Sequence, residues 1–186
     1  KKNWGVTGPM QVHTGDSYSN YKFTLDMSRA CATVTYTDDE DTTFTRTTFV
    51  SAADDVIVMH VKADKPGKIN FRGNLERGIW VDSVITDGTN IFLEDGHGVP
   101  FCTGATVITK GGTKSVMGTS LCGDGVDEAV FLICINAFDN INGEGHPITL
   151  DDYEKCIRNN TWFPRVKAHL DELALRFEDN SKLTKA

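Results

Sequence analysis

The sequence has no excess of basic residues, and this absence excludes several classes of partner. Its 186 residues include 19 Lys and Arg against 26 Asp and Glu, so the formal net charge is −7 at pH 7. A general nucleic-acid binder needs a basic face to meet the phosphates, and attraction to an anionic membrane also needs basic residues. The composition therefore predicts neither a nucleic-acid partner nor a membrane partner.

Long apolar runs and paired cysteines are also missing. The longest apolar run, residues 129–135, is far shorter than the roughly 18 residues that a membrane-spanning helix requires. Residues 1–5 contain no signal-peptide core and the first residue is not Met, so the N-terminal residues do not indicate a cellular compartment. No CxxC pair occurs, and free thiols would favour a reducing, cytoplasmic environment. The cysteines predicted to be free are Cys31, Cys102, Cys122, Cys134 and Cys156.

Recognisable motifs of catalytic, cofactor and metal sites are absent as well. The chain has no P-loop, Rossmann fingerprint or nucleophile elbow, and no HxH or HExxH spacing links its five histidines. Residues 123–128 are similar to a calcium loop but lack the spacing of an EF-hand, so a turn is the favoured interpretation. The sequence therefore predicts no metal, no cofactor and no catalytic residue of its own.

What is present is a series of short segments with the alternation of β-strands. Tyr21, Phe23 and Leu25 alternate with polar residues, which predicts a half-buried strand. Acidic residues 38–41 and the Pro66-Gly67 pair mark turns. We expect an antiparallel β-sandwich over residues 1–147. Its strands are predicted near residues 21–26, 32–36, 44–51, 56–62, 68–75, 78–84, 90–94, 101–109, 113–117 and 129–135.

The residues after the predicted sandwich change to helical periodicity. A capping-box spacing at Thr149 predicts a short helix to about Arg158. A second helix is expected over 162–178, with Pro164 in its first turn. Its apolar stripe runs from residue 163 to residue 177. We expect residues 148–186 either to pack this stripe on the sandwich or to link it to a further domain, and a homo-oligomer through the stripe is a third interpretation.

Two local clusters could contact a sugar. Trp80 and Asp82 are two residues apart and so share one strand face, where a ring can stack on a pyranose while a carboxylate binds hydroxyls. Asp95 and His97 lie in a glycine-rich loop. The alternatives are a core position for Trp80 and an ordinary polar turn at 95–98.

The 21–71 block, with weaker similarities to residue 178, resembles the N-terminal β-sandwich domain of bacterial α-L-fucosidases of glycoside hydrolase family 95. That domain is related to the N-terminal domain of family 65. Similar elements are the Gly98-Val99-Pro100-Phe101 run, the Gly111-Gly112 turn and the His169-Leu170 pair of the tail. The glycine-rich strand pair that usually begins such domains is absent from this sequence.

The resemblance implies a supporting domain rather than an active site. In that family a helical barrel carries the catalytic carboxylates, and no part of this sequence resembles the barrel. We therefore expect a non-catalytic N-terminal domain of a fucosidase-like glycoside hydrolase, with the catalytic barrel or a carbohydrate as its partner. The alternative interpretations are a free-standing carbohydrate-binding module on the same fold, and an unrelated enzyme or scaffold.

Overall fold

A computed structural model describes residues 18–77, 83–95, 101–137 and 162–178, which contain eleven strands and one helix. The helix is α1 (Trp162–Glu178). The strands are β1 (Tyr18–Asp26), β2 (Cys31–Asp38), β3 (Thr43–Ser51), β4 (Val56–Ala63), β5 (Ile69–Asn74), β6 (Ser83–Thr86), β7 (Ile91–Asp95), β8 (Phe101–Lys110), β9 (Thr113–Met117), β10 (Ser120–Val126) and β11 (Glu128–Ala137).

The strands form two antiparallel sheets of unequal size. The large sheet has the order β1-β2-β3-β4-β11-β8-β7-β6, and the small sheet has the order β5-β10-β9. Contacts of β5 with β4 and of β10 with β8 place the small sheet over the middle of the large one. This arrangement is the predicted antiparallel sandwich.

Each face of the large sheet supports its own core. The inner face packs on the small sheet, where the Phe71 and Phe131 rings meet edge to face at 4.8 Å between centroids. The outer face packs under α1 through Leu170 and Leu173, both fully buried. Alternation along β11 explains this, because Phe131 points to the small sheet and Leu132 to the helix.

The predicted acidic turn joins β2 to β3. The Asp38 carboxylate accepts hydrogen bonds from the backbone N–H groups of Glu40 and Thr42, at 3.0 and 2.8 Å. Asp41 takes a positive φ of 56°, which Asp tolerates better than most residues. Short polar residues thus close this hairpin by local hydrogen bonding, as the sequence predicted.

Two predictions about strands were wrong. Residues 123–125 are not a turn between elements but lie inside β10, where Gly123 pairs with Phe71. A Cβ at Gly123 would stand 2.1 Å from the Phe71 ring, so this glycine makes room for an aromatic core residue. The half-burial expected for β1 is also absent, since Tyr21, Phe23 and Leu25 are all more than half exposed.

The long helix was predicted at the right residues, and its stripe is buried within the chain. Val166, Leu170 and Leu173 pack on the outer core, and Phe177 lies partly buried against it. The helix contacts β8 and β11. The side chain of Phe163 and the short helix predicted at 149–158 lie outside the described residues.

Candidate functional site

The four predicted sugar-contact residues lie mostly outside the part of the chain that the structure describes. Trp80, Asp82 and His97 fall in the segments that are not described. Asp95 is the last residue of β7 and pairs with Phe101, and only its backbone is described. Ser83, which follows the first of these segments, pairs with Glu94. The two segments that carry the predicted residues therefore join the sheet at the same end of the β6–β7 hairpin.

A hollow formed by described residues lies beside α1. It has a volume of about 240 Å³, and its lining residues come from the β3–β4 turn, the end of β11 and the first half of the helix. These residues are Asp55, Cys134, Ile135, Arg165, Val166 and His169. We call this hollow the helix pocket.

Arg165 and His169 both line the helix pocket, because they are four residues apart and so lie on one side of α1. His169 donates from Nε2 to the backbone carbonyl of Asp54 at 2.8 Å. A carbonyl oxygen only accepts hydrogen bonds, so Nε2 carries the proton. Sequence analysis did not connect these two residues. The available signal was their i, i+4 spacing beside the apolar stripe.

Asp54 anchors the β3–β4 turn to the helix. Its carboxylate accepts hydrogen bonds from the Ser51 hydroxyl, at 2.7 Å, and from the Arg176 guanidinium. These two bonds hold the pKa of Asp54 below its ordinary value. The carboxylate is therefore ionised and committed to a structural ion pair at neutral pH.

Cys134 contributes an inert thiol to the helix pocket. Its side chain is buried, and burial raises the pKa of the thiol to about 12. Burial likewise raises the pKa of Cys102 to about 12. Nucleophilic cysteines need a lowered pKa, so neither residue is suited to covalent catalysis. The predicted absence of disulfides holds for the four described cysteines, although Cys31 and Cys122 are only partly buried.

A second ionic cluster fixes α1 to the β6–β7 hairpin. Lys167 donates to Asp87 at 2.6 Å and to Asp171 at 2.8 Å, and Asn90 contacts both carboxylates at 3.1 Å. Burial acts to raise the pKa of Asp87, but the bonds from Lys167 and from the Asn90 and Thr89 backbone outweigh it and lower that pKa to about 2.

A third cluster joins β4 to β11 on the outer face of the large sheet. Glu128 accepts from His60 Nε2 at 2.5 Å and from Lys62 at 3.2 Å. Burial raises the pKa of Glu128, yet these two hydrogen bonds more than offset it, so the pKa lies below its ordinary value. The cluster is a satisfied ion pair between neighbouring strands.

The described carboxyl groups lack the signature of a general acid. A glycoside-hydrolysing site needs one carboxyl with a raised pKa to protonate the leaving group. Asp26, Asp54, Asp87 and Glu128 are the described carboxyls whose pKa departs clearly from its ordinary value, and in each it is lowered. Hydrogen bonds hold these four carboxyls in their charged form, and two of them, Asp54 and Asp87, also orient α1.

The described residues contain neither a metal-binding cluster nor a membrane-spanning helix. Within the described ranges, no three His, Cys, Asp or Glu side chains lie close enough together to hold a metal ion. Over those ranges, no helix combines the length and apolar character needed to span a membrane.

Comparison with known proteins identifies a family whose model matches most of the chain. The model of the glycosyl hydrolase family 65 N-terminal domain matches residues 6–140. No curated protein matches the chain. Among solved structures, a protein of the human microbiome assigned as a kojibiose phosphorylase is similar, with a TM-score of 0.51 and 10% identity. That match covers 82% of this chain and 22% of the other, which at this identity shows likeness of fold.

Proposed function

Because this chain belongs to the family of glycosyl hydrolase family 65 N-terminal domains, we propose that it is a non-catalytic domain that supports the catalytic domain of a larger carbohydrate-active enzyme. The family match over residues 6–140 carries the proposal. The chain spans about a fifth of the solved protein that it resembles, which leaves most of such a protein to other domains.

The family match supports the coarser expectation from the sequence, an N-terminal domain of a glycoside hydrolase, and leaves the finer one, a fucosidase-like enzyme, as a prediction. The resemblance in residues 21–71 predicted family 95 specifically, whereas the matching family is 65. The two N-terminal domains are related, and the residues that carried the resemblance form strands and turns. Residues with such structural roles define a shared fold and carry no information on the sugar that a distant active site accepts.

The carboxylates of the described residues support a non-catalytic role. Asp54, Asp87 and Glu128 are each bound to a cation and each has a lowered pKa, so each is held ionised. The buried thiols are held neutral. The helix pocket is lined by Arg165 and His169, and His169 already donates its Nε2 proton to the Asp54 carbonyl.

An activity assay on the isolated chain tests the non-catalytic part. The purified 186-residue chain is incubated with kojibiose, with and without inorganic phosphate, and with a fucosyl substrate. We expect no free sugar and no sugar phosphate above the buffer control. Sugar release by the chain alone, proportional to its concentration, would contradict the proposal.

An assay on the parent enzyme tests the supporting part and the identity of the substrate. The intact parent and a version without the region of residues 1–137 are compared on the same substrates. We expect the shortened enzyme to lose activity at a lower temperature. Activity on kojibiose with phosphate favours a phosphorylase, and fucose release favours the fucosidase predicted from the sequence. Equal heat stability of both enzymes would argue against a supporting role.

Carbohydrate binding is a second candidate role for the same domain. It is favoured by the position of the two predicted sugar-contact segments, which join one end of the β6–β7 hairpin. Calorimetric titration with kojibiose and with fucosylated oligosaccharides tests it, and Trp80→Ala is expected to abolish binding. No heat of binding with any of these sugars would remove this role and leave the supporting role intact.

A further inference from the structure

Among the strands that the structure describes, β1 lies at the end of the large sheet and has β2 as its one neighbour. The apolar face of β1 is exposed. On its inner face Tyr21 is 58% exposed, Phe23 57% and Leu25 55%. Natural proteins usually cover or disrupt such an edge, because it is a template for pairing with another strand. An edge of this kind indicates an interaction surface.

A bulge limits the part of β1 that can accept a partner. The register with β2 shifts between Ser19 and Lys22, and Asn20 has a positive φ of 54°. From Lys22 to Asp26 the register with β2 is regular. A pairing strand can therefore follow only this five-residue segment, which we call the β1 edge.

The charges of the β1 edge select one register for self-pairing. Odd-numbered and even-numbered residues of β1 lie on opposite faces of the sheet. When two copies pair antiparallel about a two-fold axis, the apolar residues stay on one face only if odd-numbered residues oppose odd-numbered ones and even-numbered residues oppose even-numbered ones. A register centred on Lys22 opposes two lysines, and one centred on Asp26 opposes two aspartates. Registers centred on Phe23 or on Leu25 place Lys22 or Asp26 opposite Thr24 and so form no ion pair within the segment. A register centred on Thr24 places each Lys22 opposite the partner's Asp26 and each Phe23 opposite the partner's Leu25. Opposite charges and apolar pairs facing each other across strands are both stabilising.

We propose that the β1 edge is a homodimer interface, in which a second copy of this chain pairs antiparallel with Thr24 opposite the partner's Thr24. The two large sheets then continue into one another. The β1 edges of both copies are used up in this contact, so it forms a closed dimer and does not extend into a filament. The inference does not rest on the proposed function.

The predicted dimer is weak. Five paired residues in each copy bury less than the roughly 1,200 Å² of a standard stable interface. A dissociation constant in the micromolar range, about 1 to 100 micromolar, is therefore expected. The helix stripe does not compete as an interface, because Val166, Leu170 and Leu173 are already buried in the chain.

Disulfide trapping tests the register. In a Cys31→Ser background, Thr24→Cys places two thiols opposite each other at the two-fold axis, within reach of a disulfide. Mild oxidation is expected to give a covalent dimer on a non-reducing gel. The matched control is Thr113→Cys, because Thr113 is exposed on β9, the edge of the small sheet, and pairs with Asp124 rather than with a cysteine. Equal crosslinking of both variants, or none by Thr24→Cys, would overturn the proposal.

Charge variants test the same register in solution by sedimentation equilibrium. Lys22→Glu puts two like charges opposite each other at each end, and the dissociation constant should rise about tenfold. Lys110→Glu, an exposed change at the end of β8, is the control and should leave it unchanged. A wild-type chain that stays monomeric at about 100 micromolar, or that forms species larger than a dimer, would overturn the proposal.

Discussion

At the scale of single residues, the ionisable groups of this domain are used for attachment. Asp54 and Asp87 stand in two different turns of the large sheet, and each binds a cation of α1. The pKa values of both aspartates are lowered, because a carboxylate that gains a cation partner is stabilised in its charged form. The sequence showed these aspartates as turn residues but gave no sign of their partners on the distant helix.

The substitution Asp87→Asn should make the free energy of unfolding less dependent on pH in the acidic range. The folded pKa of about 2 lies below the ordinary value of 3.8 for an Asp side chain, so the ion pair stabilises the fold above about pH 4 and is lost as the pH falls through 2. Asp87→Asn should cost about 2 kcal/mol at pH 7 and nearly nothing at pH 2. Urea unfolding followed by circular dichroism at both values measures this.

The control for that measurement is the other carboxylate on Lys167. Asp171 has a side chain that is 47% exposed, so solvent screens its ion pair. Asp171→Asn should cost less than about 0.5 kcal/mol at pH 7. A cost as large as that of Asp87→Asn would mean that Lys167 is held equally by both residues.

The buried thiols should react only after unfolding. The pKa of Cys102 and of Cys134 is raised to about 12, so almost no thiolate is present at pH 8. Mass spectrometry after iodoacetamide treatment should find both unmodified in the native chain and both alkylated in urea. Cys31, which is partly exposed, is the internal control and should react first. Fast native alkylation of Cys134 would show that the helix opens readily.

At the scale of elements, close packing between β8 and α1 decides how the helix sits. Gly104 lies on β8 under the helix, and a Cβ there would stand 2.5 Å from Val166 and 2.7 Å from Leu170. Neither distance is compatible with a real contact. The helix approaches the sheet this closely because the residue below it has no side chain.

Gly104→Ala should therefore displace α1 and destabilise the chain by about 1 to 3 kcal/mol. Thermal unfolding measures the cost, and hydrogen exchange should show faster exchange in α1 than in β4. Val166→Ala removes one of the clashing groups, so the double variant should lose less than the sum of the two single costs. Strict additivity of the two costs would contradict this packing.

At the scale of the whole molecule, the large sheet lies between two hydrophobic cores, one on each of its faces. The small sheet covers its inner face and α1 covers its outer face. The outer core includes Phe92, Val130 and Leu132, all buried. Without the helix these residues would form an exposed apolar patch.

A chain that ends at residue 161 should therefore be unstable. Each of Val166, Leu170 and Leu173 contributes roughly 1.5 to 3 kcal/mol by its burial. The shortened chain should bind a hydrophobic dye strongly or precipitate, and a chain that ends at residue 178 is the control. A soluble, cooperatively unfolding chain without α1 would show that the sandwich is an independent unit.

The sequence by itself determined the local elements of this protein. Alternation predicted the β-sandwich, turn chemistry at Asp38 predicted the β2–β3 hairpin, and the 3,4 spacing predicted α1, because these signals depend on neighbouring residues. The prediction from the sequence was wrong at Gly123, where the missing side chain makes room for the Phe71 ring of another strand. It was also wrong at β1, where alternation predicted half-burial but the apolar side chains are more than half exposed.

Only the tertiary structure decided which faces are covered and which charges meet. The same alternation occurs in β5, where Ile69 and Phe71 are buried, and in exposed β1, and the difference is whether a second layer lies above the strand. Contacts such as Asp54 with Arg176 join residues 122 positions apart. No local pattern records such a contact, since it follows from how the sheets and the helix stack.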